Sequence, residues 1–406
     1  MRVMLTVSAW PTHYMAMVPT AWALQSAGHE VRVVCAPSQV RPLRAAGLIP
    51  VPVLRGMSIT EHNRLEHYRQ AVEGTWPFPW LPPHPFDGTR LSTLDDFDVA
   101  AFERDVLPDF NRAAEWSFDE TVRFAAGWRP DVVLHDPISL EGLLAAKALD
   151  LPCALFLWGP IGTSEPSHVR LLPADRSGSF VRYGLGPFGP HLIENIVDPC
   201  PASMSPPSAA RRFPVRYVPY NGSASLVEWT TQPAQRPRFC LTWSTALTTM
   251  SGPDSYLLPR LVQDLADLDL ELVVTATDED VRALGAVPPG VRVLTRYPIN
   301  LLLPSCAGIL HHGGAGATMT AVAAGVPQVV VGFTNEQITN GARVAATGAA
   351  INLPGHHADT VAVRQAVRDV IGAAGYRARA SALRQELLDR PTPHAFVETL
   401  EKLASG

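Results

Sequence analysis

Residues 306–325 read CAGILHHGGAGATMTAVAAG, and the architecture follows from this stretch. Ile309 and Leu310 close a short apolar run. His311, His312, Gly313, Gly314 and Gly316 interrupt it, and Met319, Ala321, Val322 and Ala324 then carry a helical spacing up to Gly325. The order is strand, glycine turn, helix. A helix starting straight out of such a turn leaves its first N–H groups without backbone partners and aimed at one point, while the glycines let a ligand approach the main chain. A phosphate suits that point, with the His312 imidazole at the mouth of the turn to donate one more hydrogen bond. The plain alternative is a turn that holds nothing, as in many parallel α/β proteins.

Outward from this stretch, the second half of the chain alternates. Strands are expected at 239–243, 271–275, 291–294, 308–310 and 328–331, with helices between them and closing helices at 358–371, 376–388 and 393–403. The first half opens the same way: strands at 2–7, 31–35 and 49–54, a helix at 14–27 stopped by Gly28 and another at 41–46 stopped by Gly47. Further strands are expected at 131–135 and 153–158, with mostly helical sequence over 96–128 and a helix at 139–149. The fold class is α/β, two Rossmann-like domains in tandem. Residues 1–206 form the first, 207–229 a proline-rich linker containing RYVPYNG, and 230–390 the second; 391–406 form a C-terminal helix able to pack back on the first domain. Segments 56–90 and 159–207 show little periodicity and read largely as loop. No G-x-G-x-x-G follows the first strand, so a nicotinamide-type dinucleotide site is not expected there.

Composition narrows the classes. The chain has 406 residues, 47% of them hydrophobic, enough for two cores. A net charge of −5 with no basic block argues against a nucleic-acid partner. Five scattered cysteines without a C-x-x-C pair read as buried free thiols in a reducing compartment. No apolar run approaches the roughly 20 residues that span a bilayer, and the opening residues do not form a signal peptide. A cytoplasmic protein without a membrane span is expected.

His13 follows the first strand, where open α/β sheets place their ligand crevice, and can serve as a general base. Asp136 ends another strand; bonded to the imidazole Nδ1–H, its carboxylate would fix the tautomer and steady the charged ring. Ser244 and Thr245 offer a hydroxyl to a second phosphate, or simply cap a helix. Glu336 and Gln337 start a helix, with Asn340 one turn on, and either hold sugar hydroxyls or favour the helix dipole. Trp76, Phe78, Trp80 and Phe86 either line an apolar pocket or fold onto their own domain. His356 and His357 are adjacent and lack the accompanying ligand spacing of a metal site. Neither a nucleophile elbow nor a glycine-lysine phosphate loop is present.

These residues resemble a family. The opening MRVMLTVSAWPTHYMAMVPTAWALQSAGHEV, the strand PDVVLHD, the linker RYVPYNG and above all VRVLTRYPINLLLPSCAGILHHGGAGATMTAVAAGVPQVVV are similar to the GT-B nucleotide-sugar glycosyltransferases of bacterial macrolide and aromatic polyketide biosynthesis. The resemblance implies two domains facing across a cleft, His13 and Asp136 as a catalytic dyad, and an inverting, metal-independent transfer from a nucleotide diphosphate sugar, dTDP-linked, to a hydrophobic small-molecule acceptor. It implies donor contacts from Thr245, Tyr297, His312, Gly314, Ala315, Gly316, Ala317, Thr318, Glu336 and Gln337, acceptor contacts from Trp10, Trp76, Phe78 and Trp80, and no cofactor. An auxiliary protein or a homodimer is compatible with it. The sequence departs from the family pattern at four positions: Ala317 stands where Ser or Thr is usual, Ser244 for Gly, Glu336 for Asp and Arg296 for Trp. With Ala317 in place, Thr318 or backbone N–H groups would supply the missing phosphate contact. Two other readings are a non-catalytic GT-B partner protein and a nucleotide-sugar epimerase or hydrolase. Retention of both His13 and His312 weighs against the first, and the aromatic loop against the second.

Overall fold

The computed structural model describes residues 1–405 except Ser167 and Arg170, and excludes the side chains of Thr245 and Ala246. Seven parallel strands form the first sheet: β1 (Arg2–Thr6), β2 (Glu30–Val34), β3 (Pro50–Val51), β4 (Val132–His135), β5 (Cys153–Phe156), β6 (Asn195–Asp198) and β7 (Arg211–Pro214), in the order β3-β2-β1-β4-β5-β6-β7. Six more form the second: β8 (Arg238–Thr242), β9 (Glu271–Ala276), β10 (Arg292–Thr295), β11 (Gly308–His311), β12 (Gln328–Gly332) and β13 (Ala350–Pro354), in the order β10-β9-β8-β11-β12-β13. Both orders reverse once, between β1 and β4 and between β8 and β11. The crevice at the strands' carboxyl ends opens at such a reversal.

Side-chain alternation builds the layers. Val3 and Leu5 of β1 join Val132 and Leu134 of β4 in one core cluster, while Met4 and Val133 point into the cluster on the opposite face. Both faces are covered, so these strands read as unbroken apolar runs. Burying one such leucine or valine contributes about 1.5–3 kcal/mol. In the second sheet Phe239, Leu241 and Trp243 share a cluster, and Cys240 faces the other way.

Four segments differ from the sequence reading. Residues 207–229 do not start as a linker, because Arg211–Pro214 is the seventh strand of the first sheet; an edge strand tolerates Pro214 because its outer N–H positions need no partner. β6 and β13 lie in stretches with no legible period. Within 56–90, Ile59–Val72 is a helix started by a capping box of Ser58 and Glu61. It buries only Arg64, Leu65 and Tyr68, too narrow a stripe for apolar periodicity to reveal. The C-terminal helix Pro393–Ala404 lies against helix Val18–Ser26 of the first domain and inserts Phe396, Val397 and Leu400 into its core.

Candidate active site

The β1–β4 reversal carries His13 and Asp136. His13 Nδ1 lies 2.8 Å from Ser8 Oγ, and its ring stacks on Trp158, centroids 3.8 Å apart. Trp10 flanks it at 5.8 Å. The dyad is not formed as expected: the imidazole nitrogen meets the Ser8 hydroxyl, and Asp136 accepts from the backbone N–H groups of Ser8 (2.7 Å), Ile138 (2.9 Å) and Ser139 (2.7 Å). The reason is local. Asp136 is fully buried where the chain turns sharply after β4, and the turn's amides claim its oxygens. Its carboxyl reaches His13 only through Ser8. Burial pushes Asp136 up, against the pull of those amides and of the Ser8 side chain. Burial also lowers His13 to about 3, so the ring is neutral at physiological pH.

The β8–β11 reversal carries the glycine turn. Gly313 adopts φ +89°, Gly314 caps helix Ala315–Ala324, and the N–H groups of its first turn have no acceptor within the helix. The His312 ring overlies the turn: a Cβ on Gly314 would fall 2.6 Å from its Nε2. His312 Nδ1 is buried without a hydrogen-bond partner, and burial followed by the neighbouring His311 lowers this histidine to about 3. His311 is structural: the Gly313 N–H donates to its Nδ1, which leaves Nε2–H to donate to Gln328 Oε1 at 2.9 Å. Asn340 Nδ2 donates to Gly313 O and ties the following helix to the turn.

The two reversals meet. A Cβ on Gly159, the residue after Trp158, would lie 2.7 Å from Ala315 Cβ in the first turn of the phosphate-turn helix. His13, Trp158, Gly159, Ala315, Gly314 and His312 thus form one chain of neighbours across the cleft.

Other expected contacts fall elsewhere. Thr318 is fully buried, and its hydroxyl bonds back to Gly314 O at 3.1 Å, so it cannot replace the hydroxyl that Ala317 lacks. Gln337 is a cap: its Oε1 accepts from Phe333 N and Thr334 N. Tyr297 is buried with Leu294, Leu302 and Leu303, its hydroxyl 3.4 Å from Thr230 Oγ1. Glu336 is half-buried, and burial pushes its carboxyl up while Asn340 draws it back. Gly316 is exposed and Ala317 half-buried at the helix start. The Thr245 side chain lies outside the described residues. Phe78 and Trp80 pack on the core of the second domain, Phe78 at 5.8 Å from Phe333 and 6.1 Å from His356, whereas Trp76 lies against His67 of its own domain, rings 4.8 Å apart. Among the described residues no group of three His, Cys, Asp or Glu could hold a metal ion, and no helix is long and apolar enough to cross a membrane.

Two family models match the chain, the N-terminal domain of erythromycin biosynthesis protein CIII-like proteins over residues 106–244 and their C-terminal domain over residues 259–403. Across its full length the chain is 34% identical to 10-deoxymethynolide desosaminyltransferase of Streptomyces venezuelae, covering 97% of that protein. The chain belongs to the erythromycin biosynthesis protein CIII-like family. Aklavinone 7-beta-L-rhodosaminyltransferase of Streptomyces galilaeus is 32% identical, with 100% of this chain and 96% of that protein covered. The solved structure of spinosyn rhamnosyltransferase SpnG complexed with thymidine diphosphate matches with a TM-score of 0.75 at 27% identity, covering 99% of this chain and 100% of that one. This CIII-like chain is therefore a nucleotide-sugar-dependent glycosyltransferase of natural-product biosynthesis with the GT-B fold. Its sequence reading missed Ser8, Trp158 and Gly159. All three follow the carboxyl ends of β1 and β5, the same kind of position in the sheet that His13 occupies.

Proposed function

We propose that this glycosyltransferase moves a deoxysugar from a dTDP-linked donor to a hydroxyl of a polyketide-type aglycone, with inversion at the anomeric carbon. The observation that carries the reading is the line of neighbours joining the two sheets, with a neutral His13 at one end and the first-turn amides and unpartnered His312 Nδ1 at the other. In the reaction His13 Nε2 takes the acceptor's proton while Nδ1–H donates to Ser8 Oγ. The freed oxygen attacks the anomeric carbon from the face opposite the diphosphate. The bond to the β-phosphate oxygen breaks, and its electron pair leaves with the nucleotide. The helix amides at Gly314–Gly316 and the His312 ring meet that growing charge, and donors fixed in advance lower the barrier. Thr245 would add a hydroxyl from the β8 side. The donor class is supported by relatives such as SpnG and VinC, solved with thymidine diphosphate or dTDP. The acceptor class is supported by the similarity to 10-deoxymethynolide desosaminyltransferase and aklavinone 7-beta-L-rhodosaminyltransferase. Five buried free cysteines fit the cytoplasm.

The test is incubation with labelled dTDP-deoxysugars and a panel of macrolide and aromatic polyketide aglycones, with the product anomer read by NMR. An inverted glycoside is expected. His13→Ala should lose about 100- to 10,000-fold in turnover with dTDP binding intact, whereas His312→Ala should weaken dTDP binding. Free sugar released at equal rates with and without every aglycone would replace the transferase reading with a hydrolase.

A further inference from the structure

Helix Thr245–Ser251 leaves β8 at the reversal that faces the phosphate turn; Trp243, just before it, has its ring 6.1 Å from that of His312. A helix has four C-terminal carbonyls without helical partners. In this one Thr248 O receives the Gly252 N–H, and the other three are taken by the opposite domain. Arg64 Nε donates to Thr249 O at 2.5 Å, His67 Nδ1 to Met250 O at 2.9 Å and Trp80 Nε1 to Ser251 O at 3.0 Å. Because a carbonyl only accepts, His67 carries its proton on Nδ1.

We infer that Arg64, His67 and Trp80 are positioning residues for donor binding: by clamping three successive carbonyls of helix Thr245–Ser251, the first domain sets the Ser244–Thr245 corner of the second. The clamp is built from both expected and unexpected parts of the first domain. Arg64 and His67 lie on helix Ile59–Val72, and Trp80 on the aromatic loop. Arg64 joins them, donating also to Phe86 O, and the loop folds so closely over its guanidinium that a Cβ on Gly88 would fall 2.5 Å from it. Trp76 Nε1 donates to Trp80 O, and the Trp76 ring lies 4.8 Å from that of His67. A buried cation at a helix C-terminus also favours the helix dipole. Leu247 anchors the helix in the core of the second domain, and the three cross-domain hydrogen bonds fix its C-terminal end as well.

The inference rests on the proposed role of that corner in holding the donor diphosphate, and the experiment separates the two. On the full-length protein, dTDP affinity is measured by titration calorimetry for Arg64→Met, Arg64→Lys, Trp80→Phe and Thr245→Ala, together with steady-state constants and amide hydrogen exchange of residues 245–251. Trp80→Phe keeps the ring and removes only the indole N–H. Arg64→Met removes the hydrogen bond to Thr249 O together with the one to Phe86 O and should weaken dTDP about tenfold, and Arg64→Lys should fall between it and wild type. Donor KM should rise with kcat at saturating donor nearly unchanged, and exchange over 245–251 should quicken. Wild-type dTDP affinity in the clamp variants, with affinity lost in Thr245→Ala, overturns the inference alone. Wild-type affinity in Thr245→Ala overturns the donor role of the corner, and the inference with it.

Discussion

The His13 ring is held on two sides, by the Trp158 face and by the Ser8 hydroxyl, and each contact has a separate consequence. The stack and the surrounding chain leave the ring half-buried, and this desolvation lowers the imidazole to about 3. A base must be unprotonated to act. A solvated histidine would lose that form as pH falls through about 6.5, whereas this one keeps it. The expected profile of kcat/KM is therefore flat from pH 7 down to about 5, where a solvated histidine would already be mostly protonated. Ser8 carries the second consequence. When His13 becomes charged in the transition state, Nδ1–H needs an acceptor, and the hydroxyl passes the influence of buried Asp136 to the ring. Ser8→Ala should lower kcat about tenfold, one hydrogen bond to a charged group, with donor KM unchanged, and Ser8→Thr should restore most of it. Full kcat in Ser8→Ala would return Asp136 and Ser8 to a purely structural role.

The glycine turn shows what an element can and cannot disclose from sequence. Its strand, turn and helix were legible because a parallel strand covered on both faces is continuously apolar, and because only glycine serves two of its positions. Gly313 needs φ +89°, and a Cβ there would sit 2.7 Å from Gln337 O and 3.0 Å from a Val330 methyl. Gly313→Ala should therefore cost more than the roughly 1–2 kcal/mol of a left-handed alanine alone, lower the melting temperature and weaken dTDP binding, measured by calorimetry. Gly316→Ala, with open space at its Cβ, should melt as wild type does. A Gly313→Ala protein with wild-type melting and dTDP affinity would contradict this account of the turn. Side-chain direction was not legible. Thr318 and Gln337 stand in the right stretch, but a helix offers a hydroxyl its own i−4 carbonyl and a capping glutamine its own amides, and these local partners won. The aromatic loop was visible as composition only; which domain it packs on depends on tertiary contacts that no local pattern carries.

At the scale of the whole molecule, the crevice exists only while the two sheets stay docked, and one ion pair bears on that directly. Arg343, on helix Asn335–Ala346 of the second domain, makes two 2.8 Å hydrogen bonds to the Glu165 carboxylate in the loop after β5, and donates to Pro160 O as well. The Glu165 side chain is only 3% exposed and also accepts from Gly162 N. Removing one partner of a buried pair typically costs about 3–5 kcal/mol, because the other charge is left without water or counter-ion. Here the protein has a cheaper relief than unfolding: opening the cleft wets Glu165. Arg343→Ala should thus enlarge the radius of gyration in small-angle scattering, lower kcat/KM for transfer, and change the melting temperature less than the full penalty implies. Arg343→Ala combined with Glu165→Gln removes the stranded charge and should close the cleft again, recovering the wild-type radius. If Arg343→Ala kept the wild-type radius and rate, docking would rest on the other cross-domain contacts, among them the C-terminal helix, the helix clamp, the Arg90–Asp254 pair and the Asn335–His168 hydrogen bond.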